Sequence, residues 1–109
     1  YEAIGAVNDP QFTDESAAMM RFSDTICVML LTRERFASFT SRTIPDAHRS
    51  AQVLLALSEE SRDAVDAVTE RAAEAGGTAD PNPVQDHGFM YGRSFADPDG
   101  HIWEPAWMD

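Results

Sequence analysis

Lysine is absent from this chain of 109 residues, and its eight cations, all arginine, stand against 19 acidic residues. The formal net charge is −11, and no basic patch with interleaved aromatic residues offsets it. A surface of this charge repels phosphate backbones. Nucleic acid is therefore excluded as an expected partner, although acidity alone says nothing about which small molecule could bind.

Cysteine and long apolar runs are also scarce. Cys27 is the single cysteine, so an internal disulfide is excluded. It lies in the run from Ile26 to Leu31, and we expect it to be a small buried hydrophobe. That run, the longest, has six residues, far fewer than the roughly 18 of a membrane span. We therefore expect no membrane partner, no secretory leader and a cytoplasmic location.

A helix is the clearest element that the sequence contains. From Ser61 to Ala75, the apolar residues Val65, Val68 and Ala72 recur at spacings of three and four, which places them on one helical face. Gly76 and Gly77 follow, and glycine tolerates the left-handed conformation that commonly ends a helix. The pattern predicts a helix with one apolar face.

Strand patterns surround that helix. An apolar strand that is covered on both faces is predicted over 52–57 before it, and a loop or irregular edge over 78–84 after it. A hairpin then follows, with strands over 89–95 and 101–108 joined by the turn sequence Asp97-Pro98-Asp99-Gly100. Alternation places Phe89, Tyr91, Arg93 and Phe95 on one face of the first hairpin strand.

The first half repeats this order of elements. A helix end is predicted over 1–5, strands over 17–22 and 25–32, a short helix over 33–40 and a linker over 42–50. The second unit has 25 residues (51–75) before its glycine stop, and the first has four (1–4) before Gly5. About 21 residues, a strand and most of a helix, are thus expected to be missing from the first unit.

The end of the chain resembles the vicinal-oxygen-chelate family, which includes glyoxalases, bleomycin resistance proteins and extradiol dioxygenases. The resemblance is in the strand ending Gly92-Arg93, the turn Asp97-Pro98-Asp99-Gly100, and Glu104 four residues after that glycine. It implies an α+β fold in which two βαβββ units, 1–50 (truncated) and 51–109, form a curved mixed sheet around a cavity in a single domain.

The resemblance also implies a candidate metal site. Metal-dependent relatives take ligands from the first and last strands of each unit, and Glu104 falls on the last such position. Gln52 falls near a second position, whereas the residues near a third, Val28 to Leu30, are all apolar. One divalent metal ion held by Glu104 and Gln52 is one expectation. The alternative is that Glu104 is a solvated or ion-paired carboxylate at the mouth of the cavity.

Other residues are candidates for catalysis or ligand binding. His87 precedes a core strand and could act as a general base, or could be a turn residue with a satisfied hydrogen bond. Arg93, beside Tyr91 on its strand face, could bind an anionic substrate group, although a pair with Glu104 is favoured. Met29 could line an adaptable apolar cavity, or belong to the core.

Two functions follow from the resemblance. The first is metal-assisted lyase or dioxygenase chemistry on a small oxygenated organic molecule, with Glu104 and His87 as catalytic residues. The second is metal-free binding or sequestration of a small molecule of the antibiotic type. A dimeric domain with a regulatory ligand is a third reading. Relatives usually pair, so a homodimer is also expected.

Overall fold

The computed structural model describes all residues from Tyr1 to Asp109, and the chain divides into two compact units, Tyr1–Pro45 and Asp46–Asp109. The segment at 46–50, predicted as linker, belongs to the second unit. There the backbone of Ala47 and His48 lies against Gly100. That the two units form a single domain stays a prediction.

The first unit is a three-stranded antiparallel sheet with a short helix. Its strands are β1 (Val7–Asp9), β2 (Ala17–Arg21) and β3 (Cys27–Leu31), with β2 in the centre, followed by α1 (Arg33–Ala37). The predicted strands over 17–22 and 25–32 and the predicted short helix are present. β1 was not predicted, because its residues Asn8 and Asp9 are polar and are typical of loops. The Asn8 side chain instead donates hydrogen bonds to the Thr13 hydroxyl, at 2.9 Å, and to the Met19 carbonyl.

The prediction that Cys27 is buried is wrong. Cys27 is exposed, as is Met29 two residues later, whereas Val28 and Leu30 are partly buried. Neighbouring residues of a strand point to opposite faces, and Cys27 and Met29 share the more exposed one. An uninterrupted apolar run cannot by itself show that one face of a strand is open.

The second unit is an α+β arrangement around one long strand. Its elements are β4 (Leu55–Ser58), α2 (Arg62–Glu74), β5 (Thr78–Ala79), β6 (Gln85–Asp86), β7 (Met90–Gly92), β8 (Phe95–Ala96) and β9 (Ile102–Met108). Antiparallel pairing joins β9 to β7 and β8, while β4 lies parallel to β9 along its other edge. β5 and β6 then pair with β8 and β7. The predicted α+β class, with mostly antiparallel sheets and few helices, is confirmed.

α2 matches its predicted span closely. The Ser61 hydroxyl caps it by accepting a hydrogen bond from the Ala64 amide at 3.0 Å. Val65, Val68, Thr69 and Ala72 are buried on its inner face. After the helix, Gly77 passes so close to the chain that a Cβ there would lie 2.5 Å from the Ala96 carbonyl oxygen. The burial of Val65, Val68 and Ala72 confirms the predicted apolar face.

Two predicted strands have different bounds in the structure. The strand predicted over 89–95 is interrupted, because Arg93 and Ser94 leave the ladder between β7 and β8. The Ser94 hydroxyl there accepts a hydrogen bond from the Asn82 amide at 3.0 Å. The strand predicted over 52–57 begins only at Leu55, and its expected burial on both faces is wrong, since Val53 is 62% exposed and Leu54 49%. No helix of the structure has the length and apolarity needed to cross a bilayer.

Candidate functional site

The two faces of β9 have different surroundings. Trp107 is in register with Tyr91, whose hydroxyl donates a hydrogen bond to Asp66 of α2. The face of β9 that carries Trp107 therefore points toward the helix. Alternation places Trp103 and Pro105, both buried, on the same side. The Trp103 ring stacks on Phe95 with centroids 6.5 Å apart. Glu104 therefore lies on the face that points away from α2.

Small and apolar residues surround Glu104 on that face. Ile102 and Ala106 flank it along β9, Ala56 is in register with it on β4, and Gly92 is in register with Ala106 on β7. We call these five residues the Glu104 face. Glu104 is half-buried, and its side chain makes no hydrogen bond or ion pair. A carboxylate partly removed from water without a partner is costly, so this position is the strongest candidate for ligand contact.

The pairing of β4 with β9 does not place the two predicted metal ligands opposite each other. Gln52 is exposed on a bend three residues before β4, whereas Glu104 is in register with Ala56, inside that strand. The structure contains no group of three or more His, Cys, Asp or Glu side chains arranged to hold a metal ion. The donors around Glu104 therefore do not fit the three or more protein ligands that a catalytic metal usually needs.

Arg93 has three carboxylate partners, and Glu104 is not among them. Its guanidinium donates to Asp80 at 2.7 and 3.1 Å, to Glu70 at 2.8 Å and to Asp66 at 3.1 Å. The predicted pair with Glu104 is wrong, because Arg93 and Glu104 lie on opposite faces of the sheet. The hydrogen bonds to Asp80, with those to Glu70 and Asp66, raise the pKa of the Arg93 guanidinium further above its ordinary value. All three guanidinium nitrogens of Arg93 already donate to carboxylates, so few of its donors are left to bind a substrate anion.

Tyr91 belongs to the same network. Its hydroxyl donates to the Asp66 carboxylate at 2.7 Å, which raises the pKa of Tyr91 and lowers that of Asp66, to which Arg93 also contributes. The Arg62 guanidinium lies 5.1 Å from the centre of the Tyr91 ring and 5.4 Å from that of Trp107. The structure thus brings the predicted pair Tyr91 and Arg93 together, but around acidic side chains on the helix side.

Arg62 and Asp86 form a bidentate ion pair that the sequence did not reveal. The two guanidinium nitrogens lie 2.9 and 3.0 Å from the carboxylate oxygens, and one of them also donates to the Gly88 carbonyl. The hydrogen bond from Arg62, with one from the Gly88 amide, lowers the pKa of Asp86 to about 2. The pair connects the β6–β7 hairpin to the first turn of α2.

The contribution of this pair is expected to disappear in acid. Because the folded-state pKa of Asp86 is depressed, its stabilisation is complete above the ordinary value of 3.8 and is lost as pH falls toward about 2. In urea unfolding from pH 6 to pH 2, Asp86→Asn should be less stable than the original chain at pH 6, and the gap should narrow below pH 4. Asp99→Asn, at an exposed carboxylate without a side-chain partner, is the control; a gap that stays constant with pH would contradict the assignment.

His87 and Met29 are the remaining candidates. His87 is exposed in the turn between β6 and β7, with its Nε2 3.2 Å from Gln85 Oε1 and its amide donating to the Met90 carbonyl at 2.9 Å. These contacts support the turn reading, and a catalytic role for His87 or Glu104 stays a prediction. Met29 is 44% exposed on β3. It does not line an open surface cavity of about 470 Å³ in the first unit, which is bordered by Ser16, Thr32, Glu34, Arg35, Ser38 and Phe39.

Known structures share this fold. A hypothetical protein of S. aureus superposes with a TM-score of 0.80 at 21% identity, with 98% of this chain and 79% of that chain covered. A glyoxalase/bleomycin resistance protein/dioxygenase family enzyme from Burkholderia phytofirmans PsJN gives 0.74 at 18% identity over 96% and 81%. A glyoxalase-related enzyme from Fulvimarina pelagi gives 0.74 at 22% over 92% and 70%. At these identities the likeness shows the fold alone.

A match to a family model shows the family of this chain. No curated protein matches the chain. The model of the Glyoxalase/Bleomycin resistance protein/Dioxygenase superfamily matches residues 11–104, from the turn before β2 to Glu104 on β9. The matched segment includes the Asp97–Gly100 turn and the glutamate that carried the resemblance. The chain therefore belongs to the glyoxalase/bleomycin resistance protein/dioxygenase superfamily.

Proposed function

We propose that this chain binds a small organic molecule on the Glu104 face, without a metal ion. The observation that carries the proposal is the Glu104 carboxylate, which is half-buried and unpartnered on an otherwise apolar strand face. Binding sites for small molecules commonly combine an apolar lining with a few polar groups that fix orientation. The Glu104 face has this composition.

The small residues of this face support the proposal as well. Ala56, Gly92 and Ala106 project little beyond the backbone, so a ligand can approach the sheet closely. A Cβ at Gly92 would be 3.6 Å from the Ala106 Cβ, which places the two residues side by side beneath the same surface. On the helix side, by contrast, Asp66, Glu70 and Asp80 are already bound by Arg93. The carboxylates bound by Arg93 on the helix side are thus already paired, whereas the carboxylate of Glu104 can still accept a hydrogen bond from a ligand.

Metal-free binding is favoured over metal-assisted lyase or dioxygenase chemistry because of the donor set. Glu104 has Ala56 as its neighbour on β4, and the amide of Gln52 lies outside that strand. Elemental analysis of the purified protein and of Glu104→Ala distinguishes the two readings. About one equivalent of a divalent metal that is lost in Glu104→Ala would reverse the preference; a metal-free protein with the same fold would support it.

Blocking the Glu104 face with a bulky side chain tests the binding proposal. The neutral probe 1-naphthalenemethanol has 12 heavy atoms, so we expect a dissociation constant on the order of millimolar by ligand-observed NMR. Ala106→Phe should weaken binding about tenfold or more, because the ring would occupy the surface beside Glu104. Ala67→Phe, at an exposed position of α2, adds the same ring elsewhere and should leave binding unchanged.

A second variant guards against misfolding of the first. Ala56 is exposed on the edge strand β4, so Ala56→Phe should fold normally, as checked by circular dichroism, and should also weaken binding. Equal probe binding by both face variants and by the original chain would contradict the proposal. The homodimer and the cytoplasmic location stay predictions.

A further inference from the structure

We infer that the ligand of the Glu104 face is a cation, an amine, ammonium or guanidinium group on an apolar body. This inference rests on the proposed function and adds the charge class of the ligand. Its basis is the pairing pattern of the second unit, in which some carboxylates are matched to arginines and the one on the Glu104 face is not.

Of the four arginines of the second unit, Arg49 is exposed in the segment before β4, and the other three lie on the α2 side of the sheet. Arg93 is held by Asp66, Glu70 and Asp80, and Arg62 is held by Asp86, in the direction of α2. Arg71 belongs to α2 itself. None of these three cations is on the face that carries Glu104. The carboxylate thus remains without a cation from its own sheet.

The environment of Glu104 makes a cation the best complement. Its neighbours Ile102, Ala106, Ala56 and Gly92 offer no side-chain donor, so a ligand must bring the donor itself. A hydrogen bond from a cationic donor to a carboxylate is stronger than one from a neutral donor, and partial burial reduces its screening by salt. The net charge of −11 also favours approach of cations over anions.

The remaining part of the ligand is expected to be apolar. The face offers only hydrocarbon around the carboxylate, and burial of apolar area supplies the binding free energy there. A molecule with an ammonium group attached to an aromatic or aliphatic body satisfies both features. An acidic molecule of the same shape would bring like charges together and is disfavoured.

Three naphthalene probes that differ in one substituent test this inference on the full chain. They are 1-naphthylmethylammonium, 1-naphthalenemethanol and 1-naphthoate, measured by ligand-observed NMR at one pH and one low ionic strength. We expect the ammonium compound to bind about tenfold more tightly than the alcohol and the carboxylate to bind most weakly. Glu104→Gln should remove the advantage of the ammonium compound while leaving the alcohol bound.

Glu74→Gln is the matched control, because it makes the same change of charge at an exposed position near the end of α2. It should keep the preference for the ammonium compound. Equal binding of ammonium compound and alcohol would overturn the inference and leave the proposed function standing. A preference that survives in Glu104→Gln would overturn it too, since it would arise from overall charge. Absence of binding by all three probes would overturn the proposed function with it.

Discussion

Replacing Arg93 with methionine is expected to lower the free energy of unfolding by about 2 to 3 kcal/mol. The Arg93 side chain is only 12% exposed, and its loss would leave the carboxylates of Asp66, Glu70 and Asp80 together without a cation. The expected loss is below that of a fully buried network, because the carboxylate side chains are 32% to 57% exposed and water screens them.

Urea unfolding at pH 7 measures this loss. Arg49→Met removes the same charge from an exposed position of the second unit, and should change the stability by less than about 0.5 kcal/mol. Arg93→Lys should fall between the two, because an ammonium retains the charge but cannot make the forked contacts of a guanidinium. Equal stabilities of Arg93→Met and Arg49→Met would show that the three ion pairs contribute nothing measurable.

Gly100→Ala is expected to destabilise the second unit by about 2 to 5 kcal/mol, as the sum of two costs. Gly100 has a φ of 100°, a conformation that costs an L-residue roughly 1 to 2 kcal/mol. In addition, a Cβ there would lie 2.7 Å from the His48 amide nitrogen and 2.8 Å from the Ala47 carbonyl carbon. These atoms belong to the backbone, so relief requires the chain to move, at about 1 to 3 kcal/mol.

Gly88→Ala separates the two costs. Gly88 also has a positive φ, 81°, but a Cβ there would meet nothing within 4 Å. This variant should lose only the conformational cost of roughly 1 to 2 kcal/mol. The difference between the two midpoints in urea unfolding then measures the steric cost at Gly100. Equal free energies of unfolding for the two variants would show that the close approach of the Ala47–His48 segment to the turn adds no measurable steric cost.

Periodicity was sufficient to predict the elements with one strongly sided pattern. The spacing of Val65, Val68 and Ala72 specified both α2 and its buried face, because a helical period leaves only one way to group them. Alternation along β9 likewise puts Glu104 and Trp103 on opposite faces, as they are in the structure. In both elements the local sequence and the packing agree, which is why sequence reasoning was enough.

The partners of the charged residues could not be predicted in this way. Arg93 was paired with Glu104 because the two lie on neighbouring strands. Residues on adjacent strands can pair, however, only when their side chains point to the same face of the sheet. A signal was present in α2, where Asp66 and Glu70 are four residues apart and so lie on one side of the helix. Asp80 could not have been found, since its position depends on the loop after α2.

The candidate site was predicted only in part, for a similar reason. Glu104 came from a motif with fixed spacing, and the structure places it half-buried on the face of β9 that points away from α2. Gln52 came from an expected strand that begins later, at Leu55. An uncharged apolar segment indicates neither where a strand starts nor which of its edges is covered. His87 and Met29 were singled out by residue type and local position; both are exposed in the structure, and their roles stay predictions.

The central position of β9 has a consequence for dynamics. β9 has paired neighbours along both of its edges, so the backbone around Glu104 cannot open without breaking the ladders to β4, β7 and β8. Amide protons on such a strand usually exchange only through the largest unfolding events. A ligand that meets Glu104 therefore finds a preformed surface, and its association rate is set by diffusion and charge rather than by the ordering of a loop.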